Sequence, residues 1–281
     1  MDERTIAAAD IAAFAEHLRR AERSRGTIEN YLRHVRAFAR WLDGGSVTKE
    51  AAAAWKESLS GGGYRPGSVN AMLGALNRFL DFMGWADCRV KALKIQRRLF
   101  RDGGRELTRG EYERLVAAAR SLGRERLALL MEAVCATGIR VSEVRYLTVE
   151  AARAGAAEIS LKGKIRTILL PAKLCRKLLK YAGKNKIASG EIFLTGRGRG
   201  MGRKQIWTEM KALCASAGVA PSKVFPHNLR HLFARSFYRV CRDVAKLADV
   251  LGHSSIETTR IYLISTGAEH EKTLNRLGLV S

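Results

Sequence analysis

The chain has 281 residues, enough for two compact domains, and 47% of them are hydrophobic, so a disordered polymer is excluded as the starting assumption. Its 50 Lys and Arg against 27 Asp and Glu leave a formal net charge of +23, which points to a polyanionic partner. No apolar run is long enough for a transmembrane helix, so a membrane partner is not expected.

The basic residues are spread along the chain rather than gathered in a tail, which suits a protein that surrounds its ligand. The start, Met1-Asp2-Glu3-Arg4, does not read as a signal peptide. The cysteines Cys88, Cys135, Cys175, Cys214 and Cys241 are far apart and form no CxxC pair, so neither disulfides nor a cysteine zinc site is expected. A reducing, cytoplasmic setting fits these features.

In chain order, residues 6–20 predict a first helix, with Ile11, Phe14 and Leu18 on one face. Residues 27–42 predict a second. Its apolar stripe runs from Ile28 to Leu42, and Arg33, Arg36 and Arg40 recur on another face as candidate phosphate contacts. A third helix is expected over 48–59 with Thr48 as cap, and a fourth from Ser68, read as a cap, to Met83. These make a small helical domain, residues 1–88. Residues 89–105 carry seven basic residues, Arg97, Arg98 and Arg101 among them, against Asp102 alone. They read as a basic linker lying on something negative.

A second domain, 106–281, restarts with Thr108 and Glu111 at capping-box spacing. A longer apolar helix over 124–137 stops at Gly138, and another helix is expected close to Val141. Residues 158–161 and 166–170 predict two short strands, with 162–165 as the turn between them. The remainder reads as mostly helical. The fold class is therefore mainly α, in two domains, with one small antiparallel sheet.

Four segments stand out: Arg140 within Thr137-Gly138-Ile139-Arg140-Val141-Ser142-Glu143; the basic hairpin at Lys162; His227-Asn228-Leu229-Arg230-His231; and Gly252-His253, followed by Arg260-Ile261-Tyr262. Taken singly, each has an ordinary reading as a surface, salt-bridge or packing residue. Together, in this order, they resemble the Arg-Lys-His-x-x-Arg-His-Tyr signature of the tyrosine recombinases, the phage integrase family. The motif resemblance covers about residues 107–262, and the N-terminal helices match the family's core-binding domain by pattern.

The resemblance implies a site-specific DNA recombinase that cuts and rejoins strands through a 3′-phosphotyrosine, without metal, ATP or other cofactor. Arg140 and Arg230 would clamp the scissile phosphate, since a guanidinium fork stays charged and suits the pentacoordinate phosphorus. Tyr262 would be the nucleophile, His227 its acid/base partner and His253 a hydrogen-bond donor to the phosphate. Lys162 would protonate the leaving 5′ oxygen, with Lys164 as a rival because hairpin register is hard to read. Glu143 and His231 would support the site. Lys164, Arg166, Arg197 and Arg199 are further candidate DNA contacts. Also implied are a C-shaped clamp on duplex DNA and a homo-oligomer, a dimer per site and a tetramer in synapsis. The family's last helix often packs on a neighbouring protomer, here over residues 273–280. An accessory DNA-bending or directionality protein is an optional partner, and the cytoplasmic nucleoid the expected location. Two alternatives stay open at this stage: a DNA-relaxing enzyme like the type IB topoisomerases, and a basic regulator without catalysis.

Overall fold

The computed structural model describes residues 4–95, 103–161, 164–253, 255–262 and 275–277. Lys162, Arg97, Arg98, Arg101 and most of the tail expected over 273–280 lie outside them. The chain divides into two compact units, residues 1–97 and 98–281.

The first unit holds four helices: α1 (Ala8–Arg20), α2 (Arg25–Leu42), α3 (Lys49–Gly61) and α4 (Pro66–Phe82). The Ser24 hydroxyl starts α2 by accepting the Thr27 amide, and Asp43, in the left-handed region at φ 48°, ends it. Phe14, Phe38, Leu73, Leu76 and Phe79 are fully buried at the centre of the unit. Residue 68 does not cap α4. Pro66 occupies the first turn, its fixed φ preset for a helix and its missing N–H no loss there, and Arg65 is the cap. Arg33, Arg36 and Arg40 are exposed, opposite the buried Leu32, Val35 and Phe38. The basic stretch from residue 89 begins docked on α4. Asn77 exchanges hydrogen bonds with the Val90 amide and carbonyl (3.0 and 2.8 Å), and Asn70 with those of Leu93 (2.7 and 2.9 Å). These amides imitate a neighbouring strand, which hydrophobic periodicity cannot reveal.

The second unit contains α5 (Arg109–Ser121), α6 (Glu125–Thr137), a 3-10 helix (Val141–Tyr146), α7 (Val149–Ala154), β1 (Ala156–Leu161), β2 (Lys164–Leu169), α8 (Ala172–Lys184), α9 (Arg203–Lys211), α10 (Cys214–Ala217), α11 (Pro226–Cys241), α12 (Val244–Leu251) and α13 (Ile256–Arg260). The mainly helical class with one small antiparallel sheet agrees with the sequence reading. The Thr108–Glu111 capping box forms, and Gly138 ends α6 in the left-handed region. Two local expectations change. The segment after Val141 is a 3-10 helix rather than an α-helix. The second strand also starts earlier than expected: Leu161 pairs with Lys164 and Ala156 with Leu169. Lys164 and Ile165 therefore belong to β2.

α6 is almost wholly buried, with Leu127, Leu130, Met131 and Val134 in the core, and α11 packs along it. Asn228 of α11 donates to the Arg105 and Lys223 carbonyls (2.8 and 2.7 Å), anchoring the start of the unit to α11. The fold thus places the end of α6, the first turns of α11 and the end of α12 together. No helix among the described residues is long and apolar enough to cross a membrane.

Candidate active site

Among the described residues, Arg230 is the largest fully buried side chain, only 1% exposed. A lone charge at this depth is unfavourable, so its partners matter. Nη1 donates to the Gly138 carbonyl at 2.5 Å and Nη2 to the Leu251 carbonyl at 2.8 Å. These are carbonyls at the C-terminal ends of α6 and α12, where helices leave acceptors unsatisfied and favour cations. Nη2 also meets His253 Nε2 at 2.9 Å, while Arg230 Nε is buried with no partner. Burial, then the charge of Arg140, pulls the Arg230 pKa down to about 10, partly offset by the Tyr262 hydroxyl. A guanidinium whose charge is disfavoured and whose Nε–H is unspent is suited to an anion.

Arg140 follows the Gly138 turn. Its Nη1 donates to Glu143 Oε1 at 2.9 Å and its Nη2 to the Gly252 carbonyl at 3.2 Å. Glu143 is 1% exposed and also accepts the Arg140 amide (2.9 Å) and Arg166 Nη2 (2.6 Å). Arg166, expected as a DNA contact, is turned inward onto Glu143 in this structure. Arg140 and Arg166 share the Glu143 carboxylate, and Arg230 lies close enough to feel the charge of both.

Tyr262 is 3% exposed and packs in a cluster with Ala234, Leu247 and Leu251. Its ring lies edge-on to His231 at 4.5 Å, stacked with His253 at 5.8 Å and tilted to His227 at 6.4 Å. Three histidines thus surround the one tyrosine that the motif singles out. His253 Nδ1 meets the buried Thr259 hydroxyl at 2.8 Å. Because arginine can only donate, Nε2 accepts from Arg230 and Nδ1 carries the hydrogen that goes to Thr259. Burial and then Arg230, Arg140 and Arg166 lower the His253 pKa to about 4. His227 is open to solvent through the cavity mouth. Even so, the packed walls around it, then Arg230 and Arg140, hold it below the ordinary histidine value.

A cavity of about 520 Å³ opens on Arg140, His227 and Arg230. Arg203, Lys204 and the half-exposed Trp207 of α9 line its other side. These three were not singled out from sequence; the only signal was basic residues beside a tryptophan on a short amphipathic helix. Thr259 was also missed, having no motif of its own. Arg197 and Arg199 sit exposed on a loop closed by Thr195, whose amide donates to the Arg199 carbonyl at 2.6 Å. Lys164 is the first residue of β2. Among the described residues, no three His, Cys, Asp or Glu side chains are grouped to hold a metal ion.

The buried Arg230 and the partly exposed Arg140 at one open cavity, with a tyrosine among histidines, suit phosphodiester chemistry. Residues 105–269 match the phage integrase family model, and residues 11–87 match the phage integrase N-terminal SAM-like domain. The chain belongs to the phage integrase family. It is 28% identical to tyrosine recombinase XerA of Pyrococcus furiosus, covering 100% of this chain and 98% of that protein. With tyrosine recombinase XerD of Xanthomonas campestris pv. campestris the identity is 30%, over 90% and 85% of the two chains. Among solved structures, a lambda integrase dimer bound to a COC′ core site superposes with TM-score 0.72 at 19% identity, over 92% of this chain and 77% of that one. XerH bound to difH substrate before cleavage gives 0.69 at 18%, over 95% and 84%. The activity is that of a tyrosine-type site-specific recombinase; the relaxing-enzyme and regulator alternatives are not favoured.

Proposed function

We propose that this chain breaks and rejoins DNA strands at a specific site, with Tyr262 as nucleophile and Arg140 and Arg230 as the phosphate clamp. The observation that carries the residue assignment is that Arg140 and Arg230 line one cavity, with Glu143 paired to Arg140 and Arg166 and with Tyr262 against Arg230. That set is two positive charges in excess and is completed by an anion. Fixed cations aimed at developing charge are often the largest catalytic contribution.

The scissile phosphate sits between Arg140 and Arg230, and its arrival draws His253 from Arg230 to a phosphate oxygen. Tyr262 Oη attacks phosphorus as His227 takes its proton. The bond to the 5′ oxygen breaks, and the hairpin lysine, Lys162 or Lys164, protonates that oxygen. The phosphotyrosine keeps the energy of the broken ester, so a 5′-hydroxyl from another strand can reverse the step without a cofactor. Residues 1–88 would form the core-binding domain, 89–105 the linker and 106–281 the catalytic domain, both domains acting on duplex DNA. Arg33, Arg36, Arg40, Arg97, Arg98, Arg101, Arg197 and Arg199 would contact the backbone. A dimer per site and a tetramer in synapsis are proposed, as is work on the nucleoid in the cytoplasm. The lambda integrase dimer and a tetramer on a Holliday junction, both similar in fold, support the assembly.

The test is covalent trapping. A binding site is selected from random-sequence duplexes with the Tyr262→Phe chain, then nicked and mixed with each protein in EDTA. A protein–DNA band on a denaturing gel, present for wild type and absent for Tyr262→Phe, is expected. Wild-type protein that binds the duplex without forming the band would overturn the proposal.

A further inference from the structure

Resting on the recombinase reading above, we propose that Arg166 is a positioning residue that sets the hairpin lysine against the phosphate clamp. Arg166 lies on β2, two residues beyond Lys164 and opposite Ile159. A two-stranded hairpin is barely stable alone, and Ile165, Thr167 and Leu169 of β2 face solvent. What ties the tip end of β2 inward is the Arg166 side chain, 16% exposed.

Its fork reaches two other elements. Nη2 donates to Glu143 Oε2 at 2.6 Å, on the 3-10 helix that follows Arg140. Nη1 reaches the Val250 carbonyl at 3.4 Å, near the end of α12, three residues before His253. The guanidinium lies against Gly252, where a Cβ would come within 2.4 Å of Nη1, so the glycine opens the space it fills. Arg166 therefore joins the three elements that carry the hairpin lysine, Arg140 and His253. Lysine has one compact charged group and cannot span both acceptors as a fork does.

The consequence of losing Arg166 is specific. Glu143 still holds Arg140 through its amide and Nη1, both at 2.9 Å. The clamp survives and the hairpin loses its tie, so the deficit falls on protonation of the leaving oxygen. A 5′-bridging sulfur leaves as a thiolate, whose conjugate acid has a pKa of about 8.5, and needs no general acid.

The experiment compares covalent-complex formation by wild type, Arg166→Ala and Arg166→Lys on the selected duplex, with oxygen or sulfur at the bridging 5′ position. On oxygen, Arg166→Ala is expected to fall by about 100-fold or more, the usual contribution of a general acid. On sulfur it should come within about tenfold of wild type, because only the acid-dependent step is impaired. Arg166→Lys should lie between them on oxygen and close to wild type on sulfur. Equal deficits on both duplexes would place the effect on Arg140 or on folding and overturn the proposal, as would wild-type rates on oxygen. If Arg166→Ala does not fold, the oxygen–sulfur comparison in Arg166→Lys decides by the same criterion. Wild-type protein that binds but never links to either duplex would remove the recombinase reading, and this inference with it.

Discussion

His253 and Arg230 are joined by a hydrogen bond of 2.9 Å in which the histidine accepts. The bond exists only while His253 is neutral, since a protonated ring would turn an N–H toward the guanidinium. Burial first, then the charges of Arg230, Arg140, Arg166 and His227, lower the His253 pKa to about 4. A phosphate at Arg230 reverses the preference, because the anion favours an N–H on Nε2.

Stability of the DNA-free chain should therefore depend on pH through this ring. The ordinary value is 6.5 and the folded value about 4. Above pH 6.5 both states leave His253 neutral and the stabilisation is complete. Between 6.5 and 4 the unfolded chain takes up a proton that the folded site refuses, so stability falls as pH falls. Urea midpoints at pH 7.5 and 5.0 should differ less in His253→Gln than in wild type. His227, shifted the same way, leaves part of the slope in place. An unchanged slope would show that His253 is not held neutral.

A second expectation concerns Gly138, which has φ 65° and would bring a Cβ within 2.4 Å of the Phe233 ring. Gly123 has φ 67° and nothing within 4 Å. Gly123→Ala should cost about 1 kcal/mol, from the left-handed backbone alone. Gly138→Ala carries the same strain plus overpacking, which typically adds about 1–3 kcal/mol. It should also slow cleavage, because the Gly138 carbonyl holds Arg230. Equal urea midpoints for the two variants would show that Phe233 simply moves aside.

Much of this site was legible because its parts are local in sequence. Gly138 stops α6 two residues before Arg140, so that motif and the element that positions it are read together; the start of α11 at Pro226, one residue before His227, was not read. His227 and Arg230, at i and i+3, share a helix face. The inward partners of Arg166, Glu143 and Val250, could not be read from sequence because they are 23 and 84 residues away. Basic strand residues look alike until the fold shows which one turns inward. Thr259 was silent for the same reason, since its value lies in a single bond to His253 across the start of α13. The start of β2 was placed two residues late because Ile165 is apolar but 70% exposed, which breaks the expected alternation.

Glu143 offers the sharpest separation of binding from catalysis. Burial pushes its carboxyl pKa up, but the Arg140 amide and guanidinium and the charge of Arg166 more than reverse this and hold it below the ordinary carboxylate value. Glu143→Gln leaves two guanidiniums facing each other without a counter-charge. Removing one partner of a buried pair typically costs about 3–5 kcal/mol, and the loss should be full near pH 7. As pH falls through the lowered pKa, wild type becomes protonated and loses the same contribution, so the two urea midpoints should converge on the acid side. DNA binding should hold or tighten, because the site gains positive charge. Covalent-complex formation should drop, because Arg140 is no longer fixed and electrostatic catalysis depends on donors already in place. Parallel loss of binding and cleavage would instead mean that Glu143 serves only to keep the unit folded.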